Sequence, residues 1–307
     1  MAGALRRHVS NSEGAGSATT AGSCVLIDVV AATAWEWDET LYAGSASHYS
    51  VGRMPYPPRL AEAVGEALGL DGTGRLLDVG CGPGSLTLLL APLFETAVGV
   101  DADQGMLDEA RRRAGEAGLT TVEWRHLRAE ALPADLGTFR VATFAQSFHW
   151  MDRPLVARRV RDMLAPGGAW VHVGANTHQG VADDETLPYP RPPWRQIDDL
   201  VASYLGPVRR AGQGWLPAGT PGGQEEIMRQ AGFTGPTRIE VDGGTLVERP
   251  VAEIVSAVFS LSSSAPHLFA DRLPAFEADL RRLLSEAARD GRFAERRREV
   301  AVAIWRP

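Results

Sequence analysis

The sequence predicts an α/β protein with a doubly wound, mostly parallel sheet. Short apolar runs alternate with amphipathic helical patterns from residue 75 to residue 174, and such alternation places a parallel sheet between two layers of helices. The second observation is Leu76–Gly84, where an apolar strand ends in an acid and is followed by three alternating glycines and the start of a helix. In sheets of this kind, a strand–turn–helix unit forms the crevice that holds a nucleotide-like ligand.

The individual elements follow from hydrophobic periodicity and from turn residues. A helix is predicted at 58–68, because prolines suit its start and Leu60, Val64 and Leu68 share one face. Strands are predicted at 75–79, 96–101, 121–125, 140–145 and 168–174, and helices at 84–94, 103–117 and 153–164. Further along the chain we expect helices near 194–205 and at 223–232, 251–261 and 273–288, a strand at 236–242 and a final strand at 299–305.

Composition bounds the class of protein. With 307 residues, of which 44% are hydrophobic, the chain can bury a full core, and its net charge of -7 disfavours a nucleic-acid partner. All 31 basic residues are arginine, which excludes lysine-based Schiff-base chemistry. Cys24 and Cys81 lack the spacing of a metal site, so no metal is expected. No apolar run reaches the ~20 residues of a membrane span, and we expect a cytoplasmic protein without a membrane partner.

The chain divides into five predicted regions. Residues 1–34, rich in Gly, Ala, Ser and Thr, are predicted to be a disordered tail, and residues 35–57 an N-terminal lid. Residues 58–175 form the cofactor-binding core. The proline-rich stretch at 176–222 is too long for a simple connector and is interpreted as an inserted substrate cap. Residues 223–307 return to the core and supply further strands and substrate-covering helices.

The spacing of the glycines distinguishes between classes of nucleotide site. A dinucleotide fingerprint would place a third glycine where Ser85 stands, and it would keep an apolar residue at Asp78. The string D-x-G-C-G-P-G instead resembles motif I of the class I S-adenosylmethionine-dependent methyltransferases. The resemblance implies a seven-stranded Rossmann-like sheet with the last strand antiparallel beside the fifth. It further implies that Gly80, Gly82 and Gly84 pass under the methionine part of the cofactor, and that Asp78 orders the loop and the cofactor's ammonium group.

The next two strands supply the remaining cofactor candidates. Asp101 ends the second strand about 20 residues past the glycine turn, where an acid can accept hydrogen bonds from both ribose hydroxyls. The resemblance places Ala102 and Met106 beside the adenine, where Met106 either contacts the cofactor or packs within its own helix. At the third strand, relatives show Asp-Ala-Glu where this chain has arginine before Ala129 and Glu130. The backbone of Ala129, together with Glu130, is then expected beside the adenine.

The end of the fourth strand carries the candidate for chemistry. Phe144–Asp152 resembles the A-x-x-F-H-W-x-D motif of a branch that includes trans-aconitate methyltransferases and bacterial natural-product methyltransferases. His149 is either a general base or a pocket wall, and both interpretations stay open. Trp150 is expected to wall the pocket beside the sulfonium, and Gln146 to contact the cofactor.

Asp152 is predicted to cap the following helix. Upstream, Tyr49 and Arg53 belong to a segment that resembles the branch's Y-x-x-x-R-P-x-Y-P lid motif, with one proline displaced, and both are expected to contact the cofactor.

The sequence carries fewer signals for the methyl acceptor than for the cofactor. Candidate substrate-binding residues are aromatic or imidazole side chains, most of which could equally be core: Trp150, His178, Trp194, Trp215, Phe259 and His267. Arg53 or Arg191 could meet a carboxylate or phosphate, which would favour O-methylation of an acid. An aromatic pocket would instead suit C- or O-methylation of a phenol, polyketide or isoprenoid.

Three classes of function therefore compete. The leading one is a methyltransferase that acts on a small molecule in secondary metabolism. The second is a protein that binds S-adenosylmethionine without methylating, or that catalyses a rearrangement, and the third is an NAD-dependent oxidoreductase. The sequence leaves the oligomeric state open.

Overall fold

A computed structural model describes residues 38–181, 186–212, 214–216, 222–241 and 243–307. The predicted disordered tail lies outside these residues. The strands are β1 (Arg75–Val79), β2 (Thr96–Asp101), β3 (Val122–His126), β4 (Phe139–Ala145), β5 (Leu164–Gly174), β6 (Arg210–Ala211), β7 (Gly214–Trp215), β8 (Thr234–Val241), β9 (Leu246–Pro250), β10 (Arg292–Arg296) and β11 (Val300–Arg306).

The helices flank the sheet and cover its C-terminal edge. They are α1 (Ala46–Gly52), α2 (Arg59–Leu68), α3 (Ser85–Leu90), α4 (Gln104–Glu116), α5 (Arg153–Met163), α6 (Trp194–Leu205), α7 (Gln224–Gln230), α8 (Val251–Phe259) and α9 (Leu273–Ala287). Short 3-10 helices lie at Ala91–Leu93, Ala129–Ala131, Phe148–Trp150 and Pro266–Arg272. Among the described residues, none of the helices has the length and apolar character needed to span a membrane.

A seven-stranded sheet forms the centre, in the order β3-β2-β1-β4-β5-β11-β8. The first five of these strands are parallel, whereas β11 runs antiparallel to both β5 and β8. The predicted doubly wound sheet and its antiparallel last strand are therefore confirmed. Leu76, Leu77 and Val79 of β1 are fully buried, as expected for a central parallel strand that is covered by helices on both faces.

Among the described helices and strands, α1 and the strands of the two small sheets, β6–β7 and β9–β10, were not predicted. Helix α1 lies in the expected lid segment, and its sequence has no clear amphipathic period. It packs on α8, where Gly52 lies so close to Ser256 and Ala257 that an added Cβ would be only 2.5 Å from the Ser256 carbonyl oxygen. The antiparallel pair of β9 and β10 brings together strands that α8 and α9 separate in sequence. Tertiary contacts decide α1 and this pair.

The predicted cap region contains one substantial helix. The expected helix near 194–205 is confirmed as α6, and β6 and β7 form a short hairpin after it. Helices α6, α8 and α9, with Phe293 of β10, enclose a third hydrophobic cluster that is distinct from the two clusters beside the sheet. The cap region and the C-terminal helices therefore share one core, which lies over the carboxyl ends of the central strands.

Candidate active site

Two adjoining cavities lie at the carboxyl ends of the strands. The first, which we name the strand-end cavity, is a narrow space of about 80 Å³. It is lined by Tyr42, Tyr49, Gly80, Gly82, Asp101, Ala102, Met106, Leu127, Arg128, Ala129, Glu130, Ala145, Gln146, Ser147, Trp150 and Met151. The second, the cap cavity, has a volume of about 470 Å³, within the range of roughly 300–1,000 Å³ typical of small-molecule sites, and lies between the strand ends and the covering segments.

The glycine turn forms the floor of the strand-end cavity. Gly80 and Gly82 have φ angles of 67° and 54°, a region that favours glycine. The Gly80 amide donates to the Val100 carbonyl at 2.8 Å, which ties the turn to β2. An added Cβ at Gly82 would meet no protein atom within 4 Å and would project into open space. The turn is therefore a cradle that leaves room for a ligand against its backbone.

Asp101 stands opposite this turn at the end of β2. Its carboxylate accepts hydrogen bonds from the Gly82 amide at 2.7 Å and from the Asp103 amide at 2.8 Å. A carboxylate has about four acceptor positions, so two remain for a ligand in the cavity that Asp101 lines. Burial raises the pKa of Asp101 to about 6, against the lowering effect of these two amide hydrogen bonds. The geometry suits a group with neighbouring hydroxyls.

Asp78 and Gly84 do not line the cavity, contrary to the predicted contact with a cofactor. The Asp78 carboxylate is 1% exposed and accepts from the hydroxyls of Thr87 at 2.5 Å and Thr143 at 2.8 Å. Burial raises its pKa to about 6, and the hydrogen bond from Thr87 opposes that shift. A Cβ at Gly84 would lie 2.7 Å from the ring of Trp124. Both residues therefore brace the start of α3 beneath the turn.

The remaining predicted cofactor residues, except Arg53, lie in the wall of the strand-end cavity. They are Tyr49, Ala102, Met106, Ala129, Glu130 and Gln146. Glu130 also accepts from the Asp152 amide at 2.9 Å, and Asp152 in turn caps α5 at the Leu155 amide, as predicted. Gln146 has a φ of 56°, a strained conformation for a residue other than glycine. Such strain is concentrated at functional sites, and here it directs the chain around the shared edge of the two cavities.

The two cavities have a common wall. Tyr42, Tyr49, Gln146 and Trp150 line both of them, and the Tyr42 ring packs edge-on against Trp150 at 5.9 Å between centroids. A ligand in each cavity would therefore meet at these four side chains.

His149 and His178 line the cap cavity. Burial, and to a smaller extent the charge of Arg153, lowers the pKa of His149 to about 4. Burial, and to a smaller extent the charges of Arg53, Arg249 and Arg298, lowers the pKa of His178 to about 3. Both imidazoles are therefore neutral near pH 7 and can accept a hydrogen bond or a proton.

Arg53 lines the cap cavity rather than the strand-end cavity, in contrast to its predicted place among the cofactor residues. Its Nε donates to the Ser260 hydroxyl at 2.8 Å, and its Nη2 donates to the Ser260 carbonyl at 3.1 Å. The guanidinium also lies over the Tyr49 ring at 4.5 Å. These contacts hold one edge of the guanidinium against the end of α8.

Of the six predicted substrate residues, Trp150 and His178 line the cap cavity and the other four lie outside it. Phe259 is 1% exposed and packs with Phe269 and Phe276 in the third core cluster. Trp215 and His267 line a separate surface cavity. Trp194 lines a small side cavity, and its indole donates to Glu295 at 2.8 Å. Aromatic composition did not separate core from pocket, because burial among other aromatics satisfies the same side chains.

Other residues of the two linings were not predicted. Tyr42 precedes the motif that identified the lid and carries no pattern of its own. Leu261, Ser262 and Ser263 follow Phe259 after Ser260 and line the cap cavity in its place. Their one local signal is the serine run beside the predicted Phe259. Within the described ranges, no group of three or more His, Cys, Asp or Glu side chains is placed to hold a metal ion.

Comparison with known proteins agrees with the site. Residues 76–168 match a family model described as a methyltransferase domain. The chain is 40% identical over 95 residues to a ubiquinone biosynthesis O-methyltransferase of Ruegeria pomeroyi, a match that covers 31% of this chain and 38% of the relative. It is 35% identical over 132 residues to an uncharacterized methyltransferase of Mycobacterium tuberculosis, covering 43% and 51% of the two chains. The chain thus spans about two fifths to half of the length of these relatives.

A solved structure of the YcgJ protein from Bacillus subtilis aligns with 81% of this chain and 98% of its own, at 15% identity and a TM-score of 0.46. Because that score is below 0.5, the fold assignment depends on the strand order of the sheet itself.

The residues of the strand-end cavity fit S-adenosylmethionine. The open cradle at Gly82 can receive the methionine part, Asp101 has free acceptor positions for hydroxyls, and the apolar wall at Met106 and Leu127 suits a flat ring. The family match covers the turn and the strands that carry these residues. The chain therefore contains a methyltransferase domain over residues 76–168, and S-adenosylmethionine is the cofactor that its site fits.

Proposed function

We propose that this protein transfers the methyl group of S-adenosylmethionine to an oxygen atom of a small molecule, with a carboxylate as the first candidate acceptor and secondary metabolism as its setting. The observation that carries the proposal is the wall common to the two cavities, formed by Tyr42, Tyr49, Gln146 and Trp150. A donor in the strand-end cavity and an acceptor in the cap cavity would have their reactive ends at this wall.

In this proposal the strand-end cavity binds the donor. Asp101 accepts hydrogen bonds from the ribose hydroxyls, and the backbone of Gly80 and Gly82 runs along the methionine part. Met106 and Ala129 flank the adenine. Trp150 and Tyr42 face the sulfonium, where an aromatic ring face stabilises positive charge.

The cap cavity favours an anionic acceptor. Arg53 and Arg210 contribute guanidinium groups to its lining, and no aspartate or glutamate occurs among the described residues that line it. Arginine can bind a carboxylate through two parallel hydrogen bonds. The name of the Ruegeria pomeroyi relative, an O-methyltransferase, also favours oxygen as the acceptor atom.

The proposed methyl transfer to a carboxylate needs no general acid or base from the protein. When bound, S-adenosylmethionine supplies an electrophilic methyl group on a sulfonium that leaves as a neutral thioether. Arg53 would hold the acceptor so that its oxygen lies about 3 Å from the methyl carbon and in line with the sulfur. A carboxylate is already ionised at neutral pH. A hydroxyl acceptor would need to lose a proton, and the neutral imidazole of His149 is the group available in the cap cavity to accept it.

The test combines binding with transfer. Calorimetry should show binding of S-adenosylmethionine and S-adenosylhomocysteine but not of NAD. Cofactor labelled in its methyl group should then label one or more members of a panel of carboxylic acids and phenols. Binding without transfer to any of them would favour a non-methylating protein, and binding of NAD alone would contradict the donor assignment.

Arg53→Met provides the matching variant for the anionic acceptor. It should weaken acceptor binding about tenfold or more through loss of a charge-assisted hydrogen bond, while affinity for S-adenosylhomocysteine stays within about twofold. Arg75→Met is the control, because Arg75 also lies over an aromatic ring and donates to a carbonyl, but lies outside both cavities. Equal effects of the two variants would contradict the role of Arg53.

A further inference from the structure

A buried ion pair links opposite sides of the cap cavity. Arg249 and Glu295 lie on the two antiparallel strands β9 and β10, their side chains are 1% and 2% exposed, and Nη1 of the arginine is 3.0 Å from Oε2 of the glutamate. Taking two charges out of water is costly, and apolar residues of similar volume often replace such a pair without loss of stability. The need for a stable core alone does not account for charges here, so their other contacts are informative.

Arg249 contacts two segments that carry lining residues. Its Nη2 donates to the Gly52 carbonyl at 2.7 Å, and its Nη1 donates to the His178 carbonyl at 2.9 Å. Gly52 ends α1 and directly precedes Arg53, whereas His178 lies in the loop after β5. Arg53 and His178 both line the cap cavity. One guanidinium therefore fixes the backbone at two sides of this cavity.

Glu295 completes the arrangement on the side of His178. Its Oε1 accepts from the Gly180 amide at 2.9 Å and from the Trp194 indole at 2.8 Å. The Trp194 ring packs edge-on against the His178 ring, at 5.8 Å between centroids and 88° between planes. The carboxylate thus holds both the loop after β5 and the ring behind His178. Trp194 was predicted to bind the substrate, and it instead packs behind His178.

We propose that Arg249 and Glu295 are positioning residues for the methyl acceptor, and that they set the separation of Arg53 and His178 and hence the width of the cap cavity. The inference rests on the proposed function, in which the cap cavity receives the acceptor. Neither charged residue lines the strand-end cavity, so cofactor binding should not depend on them.

Glu295→Gln tests the proposal with little change of shape. Glu248→Gln is the matched control, since it makes the same change on the same pair of strands, where Glu248 lies 3.7 Å from Arg292 and both side chains are about half exposed. In crystals with S-adenosylhomocysteine, Arg53 and His178 should move relative to the glycine turn by about 1 Å in the first variant, a displacement that can reduce a rate about a hundredfold. They should stay in place in the control.

The kinetic readout separates positioning from a general structural role. Glu295→Gln should raise the acceptor KM about tenfold or more for the best acid of the panel, while the Kd for S-adenosylhomocysteine changes by less than about twofold. Because one charge is left buried, a double variant, Arg249→Met with Glu295→Met, keeps apolar volume and is expected to fold in either case. It should show the same displacement.

Two results would overturn the inference. One is a folded variant with normal cofactor affinity in which Arg53 and His178 have not moved. The other is a parallel loss of cofactor affinity and thermal stability without a change specific to the acceptor side. The crystallographic readout needs no turnover. A wild-type protein that methylates nothing in the panel would thus contradict the proposed function alone, and the positions of Arg53 and His178 would still decide the positioning role.

Discussion

Two buried aspartates near the glycine turn have different tasks. Asp78 is saturated by the hydroxyls of Thr87 and Thr143, whereas Asp101 receives only backbone amides and faces a cavity. Both follow an apolar strand, so the sequence pattern predicted a ligand contact for each. The difference arises from two threonines on other elements, α3 and β4, whose positions only the folded chain reveals.

Asp101→Asn should weaken binding of S-adenosylhomocysteine about ten- to a hundredfold. In asparagine, an NH2 group replaces one of the two carboxylate oxygens, and it cannot accept the hydrogen bond from the Gly82 or the Asp103 backbone amide. Hydrogen bonds to a charged group contribute about 1.5–3 kcal/mol. Calorimetry at pH 7.5 measures the change. Asp103→Asn is the control, because asparagine still caps α4 at the Met106 amide and Asp103 lies outside the strand-end cavity. Equal losses in both variants would contradict the assignment of Asp101.

His149→Ala should distinguish a base from a wall. With a hydroxyl acceptor we expect a loss of kcat of about 10²–10⁴, because proton removal in the transition state is lost. With a carboxylate acceptor the loss of kcat should be only a few-fold. Affinity for S-adenosylhomocysteine should be kept, because His149 lines the cap cavity and not the strand-end cavity. Steady-state kinetics with one acceptor of each kind measure this. Equal losses with both would make His149 a wall.

At the level of elements, local periodicity predicted the sheet and failed where packing dominates. Strands β1, β2, β4 and β5 each carry an apolar run, and α3, α4 and α5 follow β1, β2 and β4 in sequence. Helix α1 has no such pattern, and the contact of Gly52 with α8 holds it in place. The strand-end cavity was therefore predictable from one contiguous motif region. The cap cavity combines distant segments, and its lining could not be read from any one of them.

Gly52→Ala should destabilise the protein by about 1–3 kcal/mol, since a methyl group there overlaps the backbone of Ser256 and Ala257 and forces α1 away from α8. Gly65→Ala is the control. Its added Cβ would come no nearer than 3.7 Å to Leu93, so an alanine in α2 should stabilise by about 0.5–1 kcal/mol. Urea unfolding of both variants gives the free energies. A neutral Gly52→Ala would show that α1 does not depend on this close packing.

Across the whole molecule, buried histidines and buried carboxylates have opposite effects on the free energy of unfolding as the pH falls. His149, His172 and His178 have folded pKa values of about 4, 4 and 3, below the ordinary 6.5, so the unfolded chain gains their protons first as the pH falls. Asp78 and Asp101 are raised from 3.8 to about 6, so the folded chain gains those protons first. Between about pH 6 and pH 4, the three histidine protons favour the unfolded chain and the two aspartate protons favour the folded chain.

We therefore expect the free energy of unfolding to fall as the pH is lowered from 6 to 4, by about 1.4 kcal/mol per pH unit for the one excess proton of these five groups. Urea unfolding at several pH values measures the slope. His178→Gln should flatten it, because the opposing protons then balance. Stability that rises on acidification would contradict this balance.

The common wall of the two cavities has a consequence for how such a chain can diversify. Its donor side comes mainly from one continuous stretch, residues 76–151, whereas its acceptor side combines Arg53, His178 and Leu261 from three separate covering segments. Those segments can change with little cost to donor binding. A chimera that retains residues 76–151 and takes the covering segments of another methyltransferase should inherit the acceptor range of the second parent while it still uses the same methyl donor.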